Sequence, residues 1–126
     1  MNYFKKFKGQ GEALPPKSPI SEILFAWFGG FISIAIIGYL TKSYDNLLIM
    51  GSFGASCVLL FGFPKSPFSQ PRNVILGHFL STFIGLAFLY ILGNEYWSMA
   101  LALATAIAVM IATRTVHPPA GSNPLI

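Results

Sequence analysis

Residues 96–124 read YWSMALALATAIAVMIATRTVHPPAGSNP, an apolar run set directly against a polar, proline-broken one. The run Tyr96 to Thr113 is 18 residues long, about 27 Å as a helix at about 1.5 Å per residue, close to the thickness of a bilayer's hydrocarbon core. Pro118 and Pro119 forbid its continuation and push His117 towards extended geometry. Ala120-Gly121-Ser122-Asn123 can turn tightly, and Pro124 suits the first turn of another helix. The joint therefore gathers a guanidinium (Arg114), an imidazole (His117), hydroxyls, an amide and bare backbone. A lipid-facing surface has no use for that chemistry, so a site for a polar solute is expected there.

Working outward, three further apolar runs precede this one: Ile23 to Leu40, Asn46 to Phe63 and Val74 to Leu92. None alternates in polarity as membrane strands do. The breaks between them are short, so consecutive helices must be antiparallel neighbours. The composition agrees. Only 10% of the 126 residues are charged, against about 25% in a soluble domain, and 54% are hydrophobic. The expectation is an all-α, polytopic transmembrane bundle over residues 21–126, with four helices and the start of a fifth, behind a basic cytosolic tail over residues 1–20. The net charge of +4 does not form one face, so it indicates membrane topology and not a nucleic-acid partner. With the N-terminus inside, Lys5, Lys6, Lys8, Lys17, Lys65, Arg72 and Arg114 are cytosolic and only Lys42 lies opposite. Trp27, Tyr39 and Trp97 fall where interfacial anchors belong. The expected location is a bacterial inner membrane, with lipid as the main partner.

Small residues recur every four positions: Gly77, Ser81 and Gly85 in the third run, and Ala100, Ala104, Ala108 and Ala112 in the fourth. Such stripes are expected as packing seams. The first run offers Ala26-Gly30 and Gly29-Ser33 for the same use. The second run carries Gly51-Ser52-Phe53-Gly54-Ala55-Ser56, weak helix-propagating chemistry. Two readings stay open: a broken helix whose N–H groups face a solute, or a tight crossing through Gly51 and Ala55. Before the third run, Ser69 is a candidate cap and Pro71 a first-turn residue. That puts Arg72 and Asn73 at a helix N-terminus, where a cation beside the positive dipole end draws an anion; the alternative is an anchor on lipid phosphates. His78 is an ionisable group well inside a run, and such groups usually face a bundle interior or a cavity. It either carries a proton or is a neutral ring bonded to a neighbouring helix.

One cysteine and two separated histidines fall short of a metal ligand set, no G-x-S-x-G elbow is present, and neither cofactor nor enzymatic activity is expected.

His117-Pro118-Pro119-Ala120-Gly121-Ser122-Asn123-Pro124-Leu125 resembles the defining motif of the HPP family of integral membrane proteins. Thr113-Arg114-Thr115-Val116 matches the lead into it, and Gly51–Ser56 and Gln70-Pro71-Arg72-Asn73 with Gly77-His78 resemble the family's earlier blocks. The resemblance implies a transmembrane bundle and, from members associated with nitrite transport, a transporter or channel-like protein for a small inorganic anion. Family members usually continue beyond this motif, so a chain shortened at Ile126 is expected. Candidate solute-binding residues are Ser52, Gly54, Ser56, Arg72, Asn73, His78, Arg114, His117, Ser122 and Asn123. A 3+3 inverted repeat is a further expectation, with Gly51–Ser56 and Ala120–Asn123 opening equivalent helices, and a homo-oligomer is another. The rival reading is a non-transporting anchor, sensor or scaffold. It expects a dry, closed bundle around Ser52 and His117, whereas transport expects a polar cavity lined by Ser52, His78 and Asn123.

Overall fold

The computed structural model describes residues 16–45 and 51–125. Most of the basic tail, the first residues of the second apolar run and Ile126 lie outside these. The described residues form four helices, a 3-10 turn at Pro67–Ser69 and a terminal segment, with no strand among them. Helix α1 is Ile20–Tyr44. Helix α2 is Gly51–Cys57 and widens into a π-helical stretch over Val58–Gly62. Helix α3 is Pro71–Leu92, α4 is Tyr96–Ala112, and a 3-10 segment covers Pro118–Leu125. That segment is the expected start of a fifth helix, though it opens at Pro118 and encloses Pro124.

The burial pattern is inverted relative to a soluble protein. Among the described residues four hydrophobic ones are buried, Ala102, Ala106, Met110 and Ala120, against eight polar ones, Ser52, Ser56, Ser69, Ser81, Ser98, Thr115, His117 and Asn123. The large side chains point outward, Phe25, Phe79, Phe83, Ile91 and Tyr39 among them. Water as solvent would reverse this arrangement. In lipid, small residues let backbones approach and polar groups find partners only inside. Helices α1 and α3 are each long and apolar enough to cross a bilayer, with mean hydropathies of 2.1 and 2.0, while the described part of α2 and α4 are shorter apolar helices. No residue of α1 is buried; a half-buried stripe through Ala26, Gly29, Ser33 and Ile37 faces the bundle and the rest of its surface suits lipid.

Helices α1 and α2 form one hairpin and α3 and α4 another. At the first, Gly29 admits the ring of Phe61: a Cβ there would lie 2.5 Å from Phe61 Cδ1. The terminal segment joins the two hairpins, touching α2, α3 and α4. It lies along the Gly77–Ser81–Gly85 stripe. His117 packs on Gly77, the Ala120 carbonyl accepts from Ser81 Oγ at 2.6 Å, and Pro124 packs on Gly85. These positions lie about 9 Å and about 21 Å from the start of α3 at about 1.5 Å per residue. The HPP stretch therefore descends into the bundle instead of lying at its surface.

Three local expectations are corrected. The exposed side of α4 carries Ala100, Ala104, Ala108 and Ala112, and the buried seam is Ser98, Ala102, Ala106 and Met110. Alanine occupies every even position from 100 to 108, so spacing alone describes two interleaved stripes. Ser98, whose hydroxyl donates to Phe88 O at 3.4 Å, belongs to the buried one. Ser69 does not cap α3. Its Oγ reaches back to Leu59 O and Phe63 O, 3.1 and 2.8 Å away, where the π-helical turn ends, and Gln70 takes the cap position. Gly51 and Ala55 are exposed and form no crossing among the described residues; Ser52 and Ser56 face inward instead. Gly51 is already helical, and the irregular backbone of this region sits at Val58–Gly62.

Candidate functional site

Helix α4 ends in a Schellman motif. Thr115 N–H donates to Met110 O at 2.9 Å and Arg114 N–H to Ile111 O at 3.1 Å. The motif needs a left-handed residue, usually glycine, and Arg114 fills it with φ of 57°. This turns the chain sharply and aims the Arg114 carbonyl at α3, where Arg72 Nη2 donates to it at 2.6 Å. One residue on, Asn73 Nδ2 donates to Val116 O at 2.9 Å. The first turn of α3 thus clamps residues 114–116, and both arginines border an open cavity of about 360 Å³ with Phe68, Gln70 and Asn73.

Behind this mouth lies a continuous hydrogen-bond network whose proton positions can be worked out. His117 Nδ1 lies 2.7 Å from Phe68 O, a carbonyl that only accepts, so Nδ1 carries the proton. With the ring neutral, its Nε2 accepts from Ser56 Oγ at 2.8 Å. The Ser56 hydroxyl, its proton spent, accepts from His78 Nε2–H at 2.9 Å. His78 Nδ1 then accepts from Asn123 Nδ2 at 3.0 Å, and the second amide proton goes to Thr82 Oγ1 at 2.9 Å. All donors point one way, from Asn123 to Phe68. The two imidazole rings lie 5.0 Å apart, tilted by 60°. Phe53 stands edge-on to His78 at 5.7 Å.

The far end of the network opens sideways. His78 and Asn123 form the floor of a shallow groove of about 380 Å³ whose other walls are Phe53, Phe79, Thr82, Phe83 and Leu86. Among the described residues, two buried polar atoms have no partner: Asn123 Oδ1 and Ser52 Oγ.

The structure thus brings Ser56, His78, His117 and Asn123 into one network and Arg72, Asn73 and Arg114 to one mouth. It leaves three other candidates apart. Gly54 is exposed with open space around it, and Ser122 Oγ donates to Pro119 O at 3.1 Å within its own turn. Ser52 is buried, at 1% exposure, but does not line the groove. Two participants had gone unread in the sequence. Thr82 was detectable, one helical turn beyond His78. The Phe68 carbonyl was not, since no side-chain pattern marks a backbone acceptor.

The HPP transmembrane-region model matches residues 15–126, and the chain belongs to this family of integral membrane proteins. Two Dictyostelium discoideum proteins, each described only as a transmembrane protein, are both 40% identical to it, over 134 and 136 aligned positions. The alignments cover 100% of this chain but 43% and 47% of the relatives, so the chain spans less than half their length. No solved structure matches.

Proposed function

We propose that this protein passes a small inorganic anion across a cell membrane, with its N-terminus cytosolic and nitrite as the candidate solute. The observation that carries this reading is the mouth at residues 67–73 and 114–116, where Arg72 and Arg114 both line one cavity. Exposed charges of one sign raise the local concentration of a counter-ion. Orientation rests on the excess of Lys and Arg at this end of the chain's helices. Nitrite comes from the family resemblance alone. No enzymatic step is part of the reading. An inverted 3+3 repeat belongs to it, with Pro118–Leu125 opening the counterpart of α2, and so does a homo-oligomer. Uptake of labelled nitrite into proteoliposomes tests it; equal flux with and without protein rejects it.

The anchor or scaffold reading also has an observation in its favour. His117 is 0% exposed and Ser52 is closed off, as a dry bundle requires. The groove that touches His78 and Asn123 is walled mainly by aromatic and aliphatic side chains. The same flux measurement separates the two readings.

A further inference from the structure

We infer that His78, Ser56 and His117 form a proton relay with two states, switched by a flip of the Asn123 side-chain amide. The network joins the lateral groove, which His78 and Asn123 line, to the arginine mouth, which Phe68 lines. In the neutral state every donor points towards Phe68, as derived above. A proton delivered by water to His78 Nδ1 upsets this order. His78 Nε2 passes its proton to Ser56 Oγ as the Ser56 hydroxyl passes its own to His117 Nε2. One N–H and one O–H bond break, and one O–H and one N–H bond form. Ser56 ends as it began, His78 ends neutral with its proton on Nδ1, and the positive charge rests on His117.

The Asn123 amide, which now presents Nδ2 to His78 and Thr82 and leaves Oδ1 unpartnered, can serve a second state by turning its other end to them. Rotating the amide by half a turn puts Oδ1 where Nδ2 stood. The oxygen then accepts from His78 Nδ1–H and from the Thr82 hydroxyl, the two groups Nδ2 contacts now. Oδ1 gains two partners while Nδ2 moves to the place Oδ1 leaves; the two Ser56 contacts survive with their direction reversed, and His117 Nδ1–H still donates to Phe68 O. The surroundings restrict the network to one added proton. A second would set two imidazolium rings 5.0 Å apart. The described acidic residues Glu22, Asp45 and Glu95 are all exposed at helix ends. On α2 the neighbours are Ser52, Phe53 and the thiol of Cys57; on α3 they are Gly77 and Thr82. Helix α4 carries no ionisable side chain beyond the exposed Tyr96, and the nearest cations, Arg72 and Arg114, sit at the mouth. The relay goes beyond the transport reading, because it stands on hydrogen-bond geometry whatever solute crosses.

Solid-state nitrogen NMR of the full chain in lipid bilayers, labelled at histidine, reads the relay without any flux assay. The chain has two histidines, so one substitution assigns both. Near neutrality His78 should show a bare Nδ1 and His117 a bare Nε2. On acidification His117 should lose its bare Nε2 signal first, while the bare nitrogen of His78 moves from Nδ1 to Nε2. Ser56→Ala should abolish that exchange and leave the charge on His78, whereas Ser56→Thr, which keeps the hydroxyl, should retain it. Opposite tautomers in the neutral protein, an imidazolium on His78 while His117 keeps its bare nitrogen, or an exchange unchanged in Ser56→Ala would overturn the inference. Should Ser56→Ala fail to fold, the unsubstituted protein and Ser56→Thr still decide it.

Discussion

Gly77 and His117 are in backbone-to-side-chain contact so close that a Cβ on Gly77 would fall 2.7 Å from His117 Cβ and 3.1 Å from Thr115 O. A Cβ does not approach that near to either without displacement. Gly77→Ala should therefore push the terminal segment away from α3 and destabilise the protein by about 1–3 kcal/mol, the usual range for overpacking. Thermal unfolding in detergent measures it. Gly54→Ala is the control with opposite sign: nothing lies within 4 Å of the new methyl, and helix propensity favours alanine by up to about 1 kcal/mol.

Gly85 and Gly29 make a second pair for comparison. A Cβ on Gly85 meets the Pro124 backbone, with Cα at 2.9 Å, whereas one on Gly29 meets the ring of Phe61. Backbone cannot swing aside and a phenyl ring on a lipid-facing helix has some freedom to do so. Gly85→Ala should cost more than Gly29→Ala, by about 1 kcal/mol on the scale of overpacking effects. Equal melting temperatures would show that the terminal segment yields as easily as a side chain.

Ser81→Ala removes the donor to the buried Ala120 carbonyl and leaves that oxygen inside the bundle without this partner. The expected loss is about 1–3 kcal/mol, the penalty for an unsatisfied buried polar group. Ser81→Cys, similar in shape but a weak donor, should recover only part of it. Unfolding of both variants beside the parent protein tests the ranking.

Arg114 separates charge from backbone. Because its φ of 57° is the glycine-favoured position of the Schellman motif, Arg114→Gly should raise stability, by about 1 kcal/mol. The same substitution removes one of the two guanidinium groups at the mouth. Nitrite flux should fall at most about fivefold, since an exposed charge contributes about 1 kcal/mol or less, and the difference should shrink at high salt. A stabler variant with unchanged flux at low salt would remove Arg114 from the solute path.

Much of this was legible in the sequence. The apolar runs at Ile23–Leu40 and Val74–Leu92 lie within α1 and α3, because a helix that meets lipid on its surface writes itself as an unbroken apolar string. The Gly77–Ser81–Gly85 stripe was readable as a seam, although what fills it is the HPP segment and not another helix. The alanines of α4 were not decidable, since alternation gives two equivalent faces and tertiary contacts choose between them. The network was half visible. Ser56 and His78 stand out as polar groups in apolar runs, and His117 and Asn123 belong to the polar stretch after the last run, but their mutual order depends on the Phe68 carbonyl and on how the chain bends at Arg114. The Ser69 hydroxyl was misread for a related reason: its acceptors, Leu59 O and Phe63 O, are backbone groups at the end of a π-helical turn that nothing in VLLFG announces.

The position of residues 117–124 has a consequence for how the protein is made. This segment is synthesised after all four helices, yet it is the piece that touches α2, α3 and α4, and direct contacts between α2 and α3 are sparse among the described residues. Until residues 117–124 are in place, Ser56, Ser81 and His78 lack the partners that this segment supplies. A chain lacking residues 117–124 would hold its two hairpins together through the 63–70 connection, with few direct contacts between α2 and α3.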